Sequence, residues 1–323
     1  METTIPAFAA ILLGLAGLVW GADRFVSGSA GAARNLGVSP LVIGLTIVSI
    51  GTSAPEIIVS INAALKGAGQ LAVGNALGSN LANIGLVLGL TAIIAPLPTQ
   101  RHLLTQEGSA LLVITALAGI ILFDGQLRRG ESLPLLLAVV PLVWLTVKYK
   151  KHHPSPEELE EGEDIPAITT SAALLWLITG LGALLASSEV LVWGATTVAR
   201  EAGISELVIG LTIVAIGTSL PELAASAMSA LRGHHDIAIG NIFGSNLFNL
   251  MVVMPIAGAI APLNLGTEVF YQDFIALAIM TILLFIAVML AQKKHTKTLG
   301  KPVGITLLAL YFAYGLWLIP GAG

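Results

Sequence analysis

The chain of 323 residues contains no cysteine, which removes disulfides, thiol catalysis and cysteine metal sites together. Charge is almost as scarce. Asp, Glu, Lys and Arg make up 11% of the residues, less than half the roughly 25% of an ordinary globular domain. A net charge of −4 offers no basic footprint for nucleic acid. What is present is apolar: 55% of residues are hydrophobic and the mean hydropathy is +0.90. These values exclude a sizeable soluble domain and predict an all-α polytopic membrane protein.

Apolar runs interrupted by charge or turn residues predict ten transmembrane helices, at roughly 4–22, 39–65, 71–96, 107–123, 132–148, 168–192, 205–231, 237–262, 270–291 and 302–319. The first is read as a retained span and not a signal peptide, because Glu2 is its only early charge and the chain runs on into Asp23-Arg24. The organisation expected is a five-helix half at 1–147, a linker at 148–166 and a second five-helix half at 167–323. The linker opens with Lys148, Lys150 and Lys151 and turns acidic from Glu157 to Asp164. With the N-terminus outside, 11 of the 15 Lys and Arg fall on the linker side. That bias predicts both termini outside and the linker in the cytoplasm.

The most informative feature is an internal repeat at a shift of 166. Residues 37–83 and 203–249 align without a gap, and 28 of the 47 positions are identical. Apolar helices match by chance at Leu, Ile, Val and Ala. Here the matches include Gly51-Thr52-Ser53 with Gly217-Thr218-Ser219, Pro55-Glu56 with Pro221-Glu222, Gly74-Asn75 with Gly240-Asn241, Gly78-Ser79-Asn80 with Gly244-Ser245-Asn246, and Asn83 with Asn249. Five predicted helices separate equivalent points, and an odd number inverts the second copy relative to the membrane. Inverted repeats of this kind are a recurring plan of secondary transporters, with the substrate site near the midplane where the repeats meet.

Glu56 and Glu222 fall deep within predicted spans two and seven. A charge at the bilayer centre costs about 2.5–3.5 kcal/mol on insertion scales, so such a residue needs a cavity and a partner. No Lys or Arg occurs between Val38 and Leu65 or between Glu206 and Leu231, which makes a bound cation the simplest counter-charge. Pro55 and Pro221 lack an amide proton, so the carbonyls of Gly51 and Gly217 lose their helical donors and the helices break there. Freed carbonyls at membrane depth must find water, a side chain or an ion. Each G-T-S-x-P-E segment thus offers backbone oxygen, two hydroxyls and a carboxylate. The second block, G-N-x-x-G-S-N-x-x-N, adds a polar stripe in which Ser79 and Asn83, or Ser245 and Asn249, share one helix face. A donor set of carboxylate, hydroxyl, amide and carbonyl oxygen suits Ca²⁺ and also Na⁺. Transition metals fit poorly, since the repeats have no Cys and their only histidines, His234 and His235, are expected in a loop.

These paired GTSxPE and GNxxGSNxxN segments resemble the alpha repeats of the sodium/calcium exchanger family, within the cation/calcium antiporter superfamily, in its prokaryotic calcium/sodium form. The resemblance spans essentially the whole chain. It implies alternating access, with Ca²⁺ and Na⁺ occupying overlapping sites in turn and moving in opposite directions across a prokaryotic cell membrane. It implies that Glu56 and Glu222 hold Ca²⁺ with the carbonyls of Thr52 and Thr218. It further implies Na⁺ sites formed by Ser53, Ser79, Ser219 and Ser245 with the carbonyls of Ser49 and Ala215, and a centre lined by Asn83 and Asn249. No cofactor or obligate protein partner is implied, only the two ions and the lipid bilayer. Many family members carry Asp where this chain has Asn249, and the potassium-dependent branch also carries Asp where it has Asn83, so potassium dependence is not expected. Ala54 replaces the usual Leu of GTSLPE. A Ca²⁺/H⁺ antiporter using the same glutamates and a passive channel are the competing transport readings. An intramembrane hydrolase built on Ser53 or Ser219 is the alternative from another class, disfavoured because the repeats place no His or Lys near either serine as a base.

Overall fold

The computed structural model describes residues 4–152, 167–203, 213, 215–293 and 297–318. Most of the linker expected at 148–166 and the first half of predicted span seven fall outside the described residues. Eight described helices are long and apolar enough to cross a membrane, and one bent pair brings the number to nine. In chain order they are α1 (Thr4–Leu36), the bent pair α2 (Pro40–Thr52) and α3 (Ala54–Leu65), α4 (Gly69–Ile94), α5 (Leu103–Leu122), α6 (Arg129–His152) and α7 (Thr170–Glu201). There follow the short α8 (Ala215–Thr218), α9 (Leu220–Leu231), α10 (His235–Ile260), α11 (Val269–Gln292) and α12 (Lys301–Leu318). Nine of the ten expected spans thus correspond to a described helix or to the bent pair, and α8 and α9 lie in the described part of predicted span seven.

Two helices outrun their expected ends. The first, predicted to stop at 22, continues to Leu36, and the sixth, predicted to stop at 192, continues to Glu201. Charge ends an apolar run but does not end a helix. Nothing in 23–36 breaks helical geometry until Gly37, at φ +61, and the sixth ends likewise before Gly203, at φ +79. At about 1.5 Å per residue, α1 is about 50 Å long against a hydrocarbon core of about 30 Å. Its overhang is anchored: Asp23 accepts from Arg232, and the Arg24 guanidinium lies 5.0 Å from the centre of the Trp176 ring.

These two long helices pack antiparallel along their length, and small residues set the approach. A Cβ on Gly180 would lie 2.3 Å from the Phe25 nitrogen, and one on Gly28 would lie 2.4 Å from the Leu177 nitrogen. Because lipid is as apolar as Leu, close backbone packing of this kind supplies the association energy that the hydrophobic effect supplies in water. Elsewhere α2 crosses α10 at Gly44 and Gly240, where a Cβ on either glycine would approach the other helix's carbonyl oxygen to 2.7 Å.

The inversion of the repeats is visible in the helix ends. The start of α4 touches the segment after α10: Gly69 packs on Leu263, and Gln70 Nε2 donates to the Asn264 carbonyl at 3.1 Å. The far end of α4, about 39 Å away by helical rise, leads into β1 (Leu97–Pro98), which pairs antiparallel with β4 (Thr298–Leu299). The residues equivalent to β1 at the shift of 166 are Leu263–Asn264, strand β3, which pairs with β2 (Gln126–Leu127). Equivalent strands thus lie at opposite ends of the molecule, and each two-stranded ribbon ties one half to the other.

A buried ionic network closes the end that holds β1. Glu107, in the π-helical first turn of α5, meets His102 Nδ1 at 2.9 Å and Lys150 Nζ at 3.3 Å, with Lys150 and Glu107 side chains each 3% exposed. His102 also contacts Gln100, whose Nε2 donates to Asp236 at the start of α10 at 3.3 Å. Removing one partner of such a pair leaves an uncompensated buried charge.

Two substitutions follow from this packing. Gly180→Val should separate α1 from α7 and destabilise the detergent-solubilised protein by about 1–3 kcal/mol, read as a lower thermal midpoint. Gly182→Ala, at an exposed position where a Cβ meets nothing within 4 Å, should leave that midpoint within a degree or so. Equal shifts in the two variants would contradict the packing assigned to this helix pair.

Candidate cation site

The two G-T-S-x-P-E segments fold as broken helices, and the break falls two residues before each proline. Ser53 leaves helical geometry at φ −83, ψ 10, and Ser219 does so at φ −90, ψ 3. Proline at i removes the donor for the i−4 carbonyl and collides with it, so the strain is relieved upstream of the ring. Pro55 and Pro221 then sit in the first turn of α3 and α9, where a missing N–H is harmless. Between α2 and α3 the axis bends by 46°. Glu56 and Glu222 consequently occupy the first turns of α3 and α9.

Both carboxylates are buried, Glu56 at 1% and Glu222 at 2% exposure, and they lie within electrostatic reach of each other. Glu222 Oε1 accepts from Ser53 Oγ at 3.0 Å, and Glu56 Oε1 accepts from Ser79 Oγ at 3.4 Å. The second oxygen of each has no hydrogen-bond partner among the described residues, and among those residues no ion pair joins either carboxylate to a basic side chain.

Around them the halves interlock. Thr52 Oγ1 donates to Asn241 Oδ1 at 3.1 Å, and Asn80 Nδ2 donates to the Asn246 carbonyl at 3.2 Å. Asn75 and Asn241, equivalent in the repeat, each donate to the carbonyl of their own half's glutamate at 3.3 Å. Asn83 and Asn249 each open a π-helical turn, at Asn83–Val87 and Asn249–Val253. Such turns widen a helix and frequently mark functional sites. Ser219, Ser245, Asn83 and Asn249 are buried, and each carries a side-chain oxygen without a partner among the described residues. Ser49 turns its hydroxyl to the Leu45 carbonyl at 2.8 Å, while its own carbonyl accepts from Ser53 N at 3.0 Å. Thr218 and Ala215 lie in α8, in the turn before the second break.

The structure therefore joins Thr52, Ser53 and Glu222 through Asn241 across the halves and pairs Glu56 with Ser79, with Ser219 at the second break and Asn83, Ser245 and Asn249 as buried oxygens on α4 and α10. Among the described residues no cluster of three His, Cys, Asp or Glu occurs. Two carboxylates and a shell of neutral oxygens are what this centre offers, a set suited to hard cations. His235 begins α10 instead of lying in a loop, and His234 precedes it.

Sequence reasoning passed over three contributors. Ser188 Oγ donates at 2.8 Å to the carbonyl of Gly217, the group that Pro221 frees; its repeat equivalent is Ala22, so symmetry gave no signal. Ser226, which accepts from Asn241 Nδ2 at 2.9 Å, is matched by Ser60 in the first repeat and was legible as a polar identity. Asn80 falls off the polar stripe of its helix yet reaches across to the other half.

Fold and site together define a class: a polytopic helical membrane protein of two inverted halves with two buried carboxylates and a set of neutral oxygens where they meet. The comparisons name it more closely. Residues 6–148 and 172–319 match the family described as sodium/calcium exchanger protein. The chain is 43% identical over 308 residues to the putative antiporter CaxA of Alkalimonas amylolytica, covering 94% of this chain and 96% of that one. It is 36% identical to the inner membrane protein YrbG of Escherichia coli (strain K12), over 97% of this chain and 98% of that protein. A structure of the sodium-calcium exchanger NCX_Mj soaked with 2.5 mM Na⁺ and 0.1 mM Ca²⁺ superposes with a TM-score of 0.81 at 34% identity, covering 97% of this chain and 98% of that one. The chain belongs to the sodium/calcium exchanger family and is a multi-pass membrane protein.

Ser188→Ala should strand the Gly217 carbonyl and lower stability by roughly 1–3 kcal/mol, measured by thermal or denaturant unfolding in detergent. A neutral result would mean that Gly217 finds another donor and that the break at Ser219 does not depend on α7.

Proposed function

We propose that the protein exchanges Ca²⁺ for Na⁺ by alternating access. The observation that carries this reading is the pair of buried carboxylates, one from each inverted half, each with an oxygen that has no partner, and with no basic side chain bonded to it, among the described residues. Two glutamates balance one divalent ion, and a cation among the free oxygens would satisfy both the charge and the unmet hydrogen-bonding capacity.

In this reading Glu56 and Glu222 hold Ca²⁺ with the carbonyls of Thr52 and Thr218. Ser53, Ser79, Ser219 and Ser245, with the carbonyls of Ser49 and Ala215, form the Na⁺ sites, and Asn83 and Asn249 line the centre. Because Ca²⁺ and Na⁺ draw on overlapping oxygens, occupancy by one excludes the other, and net flux requires that they take turns. Each ion set must neutralise the carboxylates before the centre can cross a low-dielectric barrier. An empty centre retains uncompensated buried charge, which opposes crossing without cargo and so enforces exchange over leak.

The hydroxyls of Ser53 and Ser219 act here as ligands and not as nucleophiles. Ions are the cargo, and the chemistry calls for no cofactor. The Lys and Arg distribution supports a cytoplasmic linker and external termini, in the cytoplasmic membrane of a prokaryote. The halves 1–147 and 167–323, joined by residues 148–166, are the units that the mechanism sets against each other.

Reconstituted vesicles loaded with Na⁺ should take up Ca²⁺ when diluted into Na⁺-free medium, and a pH gradient alone should drive none. Glu56→Gln and Glu222→Gln should each abolish that uptake while preserving the melting profile. Uptake driven only by the pH gradient would replace sodium coupling with proton coupling, and transport retained by both variants would remove the glutamates from the site.

A further inference from the structure

Asn241 lies outside the set of ion ligands proposed above, yet it is fully buried and is the most heavily bonded side chain at the crossing. Its Nδ2 donates to the Glu222 carbonyl at 3.3 Å and to Ser226 Oγ at 2.9 Å, both within its own half. Its Oδ1 accepts from Thr52 Oγ1 at 3.1 Å, in the opposite half. With both amide hydrogens committed to one half, the oxygen is aimed at the other.

The Thr52 hydroxyl has one proton; Asn241 Oδ1 at 3.1 Å and the carbonyl of Ser49 at 3.4 Å compete for it, and the hydroxyl also faces the Glu222 carboxylate, whose oxygens turn to the cation when the centre is loaded. Bonding back to a carbonyl one turn earlier is the default for a threonine in a helix. The Ser49 carbonyl has two lone pairs, and Ser53 N, at 3.0 Å, uses one of them. The second is contested between the Thr52 hydroxyl and any bound cation. By drawing the hydroxyl proton to itself, Asn241 keeps that lone pair open.

We infer that Asn241 is a positioning residue for sodium: it holds the Thr52 hydroxyl off the Ser49 carbonyl, so that this oxygen stays available as a Na⁺ ligand. The inference rests on the exchange reading above, in which the Ser49 carbonyl serves Na⁺ and the carboxylates serve Ca²⁺. The effect is therefore selective. In the loaded centre, where the Glu222 carboxylate is turned to a cation, a hydroxyl released by Asn241 falls back on Ser49, the sodium site loses an oxygen, and the calcium site keeps its glutamates.

The test measures Na⁺-dependent Ca²⁺ exchange by the full chain in vesicles, varying each ion in turn. Asn241→Ala should raise the Na⁺ concentration for half-maximal exchange about five-fold, the value of roughly one net hydrogen bond, while the Ca²⁺ KM moves less than about two-fold. Adding Thr52→Val to Asn241→Ala removes the competing proton and keeps the backbone carbonyls, so it should return the Na⁺ dependence most of the way to that of the unmodified chain. A merely structural role would shift both ions together and would gain nothing from a second buried substitution. If Asn241→Ala does not assemble, Asn241→Gln, which displaces the amide by one methylene, should give the same selective loss. Parallel loss of both affinities, or no recovery in the double variant, would overturn the inference. Absence of any sodium dependence in the unmodified chain would instead overturn the exchange reading beneath it.

Discussion

Two carboxylates in the apolar interior are the constraint from which the rest of this structure follows. An ionised carboxylate removed from water is tolerated only when charge and hydrogen bonds replace the solvent. Elsewhere in the molecule the rule is met from within: Glu107 has Lys150 and His102. At the crossing it is met differently. Glu56 and Glu222 each receive a serine hydroxyl, and their remaining oxygens have no hydrogen-bond partner among the described residues. Such an arrangement is stable with a cation in place and poor without one, which is the thermodynamic requirement for coupling ion occupancy to movement.

The broken helices exist to deliver that arrangement. A continuous helix engages each carbonyl with an amide one turn on and turns it along the helix axis, so that few are presented to an ion at its side. Placing proline two residues after Ser53 and Ser219 stops the first half-helix, points its carbonyl end at the centre, and starts a second half-helix whose first turn carries the glutamate. The close approach of Gly44 and Gly240 then lets α10 lie against α2, so that Asn241 touches Thr52 in the other half. Proline, glutamate and glycine thus serve one geometric end, and each is repeated at the shift of 166.

Much of this was legible in the sequence because it is written twice. Polar identities between residues 37–83 and 203–249 cannot arise from hydrophobicity, and they marked the glutamates, the hydroxyls and the breaks. Helix existence was equally legible, since membrane length and apolarity are local properties. The extents of α1 and α7 were not, because charged residues beyond the bilayer end a hydropathy run without ending a helix. Ser188 was invisible for a different reason: its role depends on a tertiary approach of α7 to Gly217 that the first half does not copy. The partners of Asn80 and Asn241 were likewise hidden, since a repeat shows that a residue is reused but not which half it reaches into.

The repeat extends further than its strongest stretch, and its divergence there is informative. Glu107 in α5 corresponds at the same shift to Asp273 in α11, and both lie in π-helical turns. Each binds a residue near the end of the following helix, yet the partners differ. Glu107 takes Lys150 and His102, whereas Asp273 accepts from Tyr314 Oη at 2.6 Å. Inversion places these equivalent carboxylates at opposite ends of the molecule, so duplication fixed where a carboxylate ties the outer helix down, and each end then chose its own donor. At the buried centre the proposed exchange leaves less freedom, because both halves would face the same ions, and there the two copies have kept the same glutamates, prolines and asparagines and all but one of the serines and threonines that the proposal uses.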